Sequence, residues 1–170
     1  MESSLYKSSI VILIVFMTFL LVIGLVRVTI NNADKTRIVT EGESVHSYAE
    51  TISLDALELN VSEDLKIQKA LVIADENAVR NHIISSITDR YSNRNDIVIK
   101  SSDITNMTVF PGTYSVVGSG RDAKVIQLDS ERPYVIFDLR VNFTSIIKDS
   151  GPGSRTYKVE AKLTHIPQKN

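Results

Sequence analysis

The densest apolar stretch lies near the start of the chain. From Ile10 to Val26 the run IVILIVFMTFLLVIGLV carries no charge, and only Thr18 and Gly24 depart from large apolar side chains. At about 1.5 Å per residue a helix over this run covers roughly 26 Å. Extension through Val28 and Ile30, with Arg27 reaching back to the headgroups, approaches the ~30 Å hydrocarbon core of a bilayer. The pattern therefore predicts a transmembrane anchor over residues 10–30, with Ile10, Ile14, Thr18, Leu21, Gly24 and Val26 along it, after a short N-terminal tail over 1–9. A cleaved signal peptide is the rival reading, but its apolar region is typically shorter and ends at a small-x-small site. Here RVTINNADKT follows, in which only Asn32-Ala33 is even weakly suitable. A buried core helix fits less well, because so small a domain cannot cover an apolar surface on every side.

Beyond the run the pattern becomes one-faced. Ile38, Val45, Ala49, Ile52, Ala56 and Leu59 recur at steps of seven, four, three, four and three. This is a narrow helical stripe, and it predicts that the anchor continues as an amphipathic stalk over 31–59. Gly42, between Glu41 and Glu43, is the weak point of that helix and a candidate bend or break. A separate helix after a linker at Asn31 to Asp34 is the alternative. The stripe Ile38, Val45, Ala49, Ile52 and Ala56 is the candidate face for a partner helix; its bland alternative is packing on the chain's own sheet.

Residues 60–170 read as an α+β globular domain. Asn60, three residues before Glu63, resembles a capping arrangement and predicts a second helix with Leu65, Val72, Val79, Ile83 and Ile87 on one face, ended by Ser92-Asn93-Arg94-Asn95. After Asn95 the period is that of strands: Ile97 to Lys100, Ile104 to Phe110, a turn at Pro111-Gly112, Thr113 to Val117, a turn at Gly118-Ser119-Gly120, and Ala123 to Leu128. Val135, Phe137, Leu139, Val141 and Phe143 alternate with polar residues, and so do Tyr157, Val159, Ala161 and Leu163. Such alternation gives one buried and one wet face, as in an antiparallel sheet. Ser150 to Ser154 supplies a hairpin connection between these two strands.

Composition narrows the function. The 170 residues hold 19 basic and 20 acidic side chains for a net charge of −1, which points to no polyanion-binding face, so nucleic acid is not an expected partner. With no cysteine, disulfides, thiolate metal sites and thiol nucleophiles are excluded. His46, His82 and His165 fall on three different expected elements without a second ligand at metal-like spacing. Gly118-Ser119-Gly120-Arg121 lacks the strand–loop–helix context of a phosphate cradle and reads as a turn. Three N-x-S/T sequons, at Asn60, Asn106 and Asn142, match the number chance gives in so Ser/Thr-rich a chain. No catalytic, cofactor or metal site is expected, and no small-molecule substrate. The expectation is a non-enzymatic protein whose partners are the lipid bilayer and other membrane-anchored subunits or itself. Flanking charge divides Lys7 and the amino terminus from Arg27, Lys35 and Arg37, which by itself favours a cytoplasmic domain.

An apolar N-terminal helix running into an amphipathic segment, a second helix and a terminal antiparallel sheet resembles a type IV pilin-like or TadE-like pseudopilin. The resemblance implies a cell-membrane assembly subunit of a bacterial pilus or of a secretion or conjugation machine, its head on the extracytoplasmic side. The chain departs from the pilin pattern in one respect: Glu2 precedes the apolar run, and no Gly-x-x-x-x-Glu places a glutamate inside it. A second reading, similar to the VirB-type inner-membrane components, is a scaffold fixed in the membrane. A third is a cell-envelope binding module or hydrolase, which requires a concave site with convergent polar groups.

Overall fold

The computed structural model describes residues 2–63, 70–119, 123–144 and 153–164, with side chains from residue 10 onward. Helix α1 spans Glu2–Leu59 without interruption, so residues 2–9 continue the anchor's backbone and no linker separates anchor from stalk. No proline occurs before Pro111, and the only glycines in α1, Gly24 and Gly42, leave its backbone helical. The helix stops at Asn60, whose backbone N–H donates to Leu57 O and whose Nδ2 donates to Ala56 O.

Asn60 thus closes the first helix; the chain is helical again at Glu63, the last described residue before 70, so the stripe expected from Leu65 to Ile87 is not one helix. Val61 and Ile73 form an antiparallel bridge, and Ser62 N–H donates to Val72 O, so Val72 lies in irregular chain. Leu65 lies outside the described residues. Helix α2 spans Glu76–Tyr91 and starts where Asp75, in extended backbone, accepts from the N–H groups of Asn77 and Ala78. Glu76 in its first turn and Arg90 in its last complement the helix dipole. Val79, Ile83, Ile87 and Tyr91 form its buried stripe at intervals of four.

The strands are β1 (Ile97–Val98), β2 (Ile104–Phe110), β3 (Ser115–Val117), β4 (Lys124–Ile126), β5 (Tyr134–Phe143) and β6 (Gly153–Lys162). β5 is the spine of an antiparallel sheet. One edge pairs along its full length with β6, from Tyr134↔Lys162 to Phe143↔Gly153; the other pairs with β2 and then β1. Gly153 and Ser154, expected in a loop, already belong to β6. In β5 the odd positions Val135 to Phe143 are buried. That face packs on the distal half of α1 and on α2, giving a two-layer α+β head with one core.

A bulge between Thr105 and Thr108 places Asn106 at φ 53°, where its Nδ2 donates to Asp138 Oδ2 at 2.7 Å. Bulges of this kind blunt an open strand edge. At the end of the head away from the anchor, β3 and β4 form a separate ribbon with Val116, Val117, Ile126 and Leu128 exposed. Gln127 ties it down: Oε1 accepts from Leu71 N–H, and Nε2 donates to the carbonyls of Leu71, Thr113 and Glu131. Gly112, at φ 89°, approaches Leu71 O so closely that a Cβ there would lie 2.7 Å from it.

Candidate functional site

The feature that separates this chain from an ordinary α+β domain is the bare half of α1. Ile10, Ile14, Leu21 and Val26 are 40%, 58%, 63% and 52% exposed, and Thr18 and Gly24 are exposed as well. No described part of the head covers them. This is the one helix among the described residues long and apolar enough to cross a membrane. Its polar atoms are satisfied from within: Thr18 Oγ1 donates to Ile14 O and Thr29 Oγ1 to Leu25 O, so neither hydroxyl is left unpaired toward hydrocarbon. Gly24 has no neighbour within 4 Å and leaves a dent in the helix surface.

The distal half of α1 behaves differently. Val45, Ala49 and Ala56 are fully buried in the core, with Ile38 and Ile52 half-buried against it. The stripe expected to receive a partner helix is filled by the chain's own β6, β5 and α2. This corrects the docking expectation for Ile38, Val45, Ala49, Ile52 and Ala56. Ser53, on the same side, is buried and donates to Ala49 O at 2.6 Å.

Gly42 proves to be a seat and not a break. A Cβ at this position would lie 1.8 Å from Tyr157 Oη and 2.8 Å from its Cζ. The ring of β6 therefore rests directly on the helix backbone. His46, one turn on, stacks on the same ring at 5.5 Å between centroids, and its Nε2 lies 3.1 Å from Lys158 O. Helix and edge strand are clamped together over these residues.

A polar network closes the end of the head nearest the anchor. Arg94 donates to both carboxylate oxygens of Asp96, at 2.9 and 2.5 Å, and reaches Glu41 of α1 at 3.2 Å. The hydrogen bonds from Arg94 hold the Asp96 carboxyl down at about 2, and the same bonds push the Arg94 guanidinium further up. Arg37 pairs with Asp34 at 3.2 Å and donates to Thr144 O at 2.5 Å, joining α1 to the end of β5.

The histidines stay apart. His46 faces β6 and Glu50, His82 lies 3.4 Å from Asp55 across the α1–α2 contact, and His165 is outside the described residues. Among the described residues no three His, Asp or Glu side chains converge as a metal site. Gly118 and Ser119 close β3, as a turn; Gly120 and Arg121 lie outside the described residues.

The Gly42–Tyr157 seat and the Arg94 network escaped sequence reasoning. The first had a signal: Gly42 splits the seven-residue step between Ile38 and Val45 into four and three, the place of a seam residue. The second had none, since Glu41, Arg94 and Asp96 meet only after the sheet has formed. The comparisons with known proteins leave the chain to its own geometry: no protein-family model, no curated protein and no solved structure matches it.

Proposed function

We propose that the chain is a single-pass membrane protein of the cell envelope, working as a non-enzymatic, pilin-like assembly subunit of a bacterial pilus or of a secretion or conjugation machine. Its head would lie on the extracytoplasmic side. The observation that carries this reading is the division of one unbroken helix into a bare apolar half, Ile10 to Val28, and a half locked into the head by Gly42, Val45, Ala49 and Ala56. Tethering to a common surface raises the effective concentration of neighbouring copies, so modest contacts suffice for association. Because the stripe on the distal half is occupied from within, those contacts fall to the apolar half of α1 and to the outer surface of the head.

Shearing intact cells tests the reading. The protein is expected in the detached filament fraction, and the head is expected to be cut by protease added outside. Retention in the membrane with a protected head overturns it. The reading as a fixed membrane scaffold is favoured by one fact, the lack of a glutamate inside the apolar run. It predicts a protein that never leaves the membrane on shearing.

A further inference from the structure

The exposed charges of this nearly neutral chain are not evenly placed. Between Ile10 and Thr40, α1 carries one acid, Asp34, which is buried and paired with Arg37. The next, Glu41, is bound by Arg94, which also binds Asp96. Asp138, two residues from Arg140 on the outer face of β5, is held by Asn106. Among the described residues these acids are thus engaged internally. The cations on the α1 side of the head's anchor end are not: Arg27, Lys35 and Arg155 are exposed, and among the described residues none makes an ion pair. Arg155 only overhangs the Tyr157 ring at 5.8 Å. From Ile38 to Leu59, by contrast, α1 has no lysine or arginine, and Glu43, Asp55 and Glu58 are exposed.

We infer that the base of the head is a docking surface for anionic lipid headgroups, formed by Arg27, Lys35 and Arg155. The inference rests on the membrane reading of α1. Helix rise sets the heights. Lys35 lies about 7 Å beyond Ile30, within the headgroup layer of roughly 5–8 Å per leaflet. Gly153 of β6 abuts Ile38 and Tyr157 abuts Gly42, which puts Arg155 between them, about 15 Å beyond Ile30. The mean tilt of membrane helices, about 20°, swings one side of the head toward the bilayer, and a long arginine side chain spans the remaining gap. Attraction to an anionic surface acts within a Debye length of about 8 Å at physiological salt, so docking is salt-sensitive.

The absence of cysteine makes the test clean. Full-length protein carrying Ser154→Cys, labelled with a donor dye, is reconstituted into vesicles with acceptor-labelled lipid. One set is phosphatidylcholine alone; the other contains about 30% phosphatidylglycerol, enough to charge the surface. Energy transfer is expected to rise on the anionic vesicles and to return to the neutral value in high salt. The K35Q/R155Q variant should lose the rise while keeping its thermal unfolding in detergent, and Arg140→Gln, on the outer face of the sheet, and Lys124→Gln, at the far ribbon, should keep it. Equal transfer on both vesicles by protein that resists alkaline extraction overturns the inference. Release of the protein by alkaline extraction overturns the membrane reading instead.

Discussion

Tyr157 lies on Gly42 with its hydroxyl buried, so the smallest possible addition to the helix strikes the hydroxyl of a core-facing ring. In an open helix Gly42→Ala would stabilise by about 1 kcal/mol. Here overpacking costs roughly 1–3 kcal/mol. The variant should therefore unfold at lower temperature in the detergent-solubilised full chain, and Tyr157→Phe should restore part of the loss in a double-mutant cycle. Asp96 makes a second prediction at this scale. Its carboxyl sits at about 2, below the ordinary 3.8, so the stabilisation from its pairing with Arg94 is complete above about pH 4 and vanishes as pH falls through about 2. Thermal unfolding followed down that window should show a fall that Asp96→Asn makes smaller. The sequence places Gly42 on the seam but says nothing of Tyr157, because that contact joins residues more than a hundred positions apart. Asp96, just past the Ser92–Asn95 stretch that ends the helical pattern, carried no signal of its pairing.

At the scale of elements, periodicity carried most of the information. The alternation in Val135–Phe143 and Tyr157–Leu163 specified which residues of β5 and β6 face the core, since a half-buried sheet enforces a period of two. The continuity of anchor and stalk was legible in the stripe beyond Ile38. Its partner was not, because an apolar seam has the same spacing whether it meets a second helix or its own sheet. Val45→Glu distinguishes the two: buried against the core, it should abolish the head's cooperative unfolding, whereas a surface seam would lose only association. Ile52→Glu, at a half-buried position, should be milder. The helix expected from Asn60 to Ile87 is divided: the chain is helical at Glu63 and again from Glu76, and Val72–Ala74, paired through the backbone with Asn60–Ser62, come between. Asp75→Ala removes the two hydrogen bonds that start α2 and should cost about 0.5–2 kcal/mol by denaturant unfolding.

At the scale of the whole molecule, two asymmetries share one axis. Apolar surface is concentrated at the first half of α1, and among the described residues unpaired cations follow it at the base of the head. Composition alone hides the second, because a net charge of −1 averages a basic base with an acidic distal helix. The unbroken backbone of α1 has a mechanical consequence. With no proline or bend between Ile30 and Leu59, some 44 Å further on, the helix in the proposed membrane setting would be a lever whose short arm is embedded and whose long arm carries the sheet. Rocking it by about 10°, well inside the range open to membrane helices, sweeps the β3–β4 ribbon sideways by roughly 8 Å. Whatever pulls on the far ribbon would thereby reach the apolar end as a change of angle, with no hinge to absorb it.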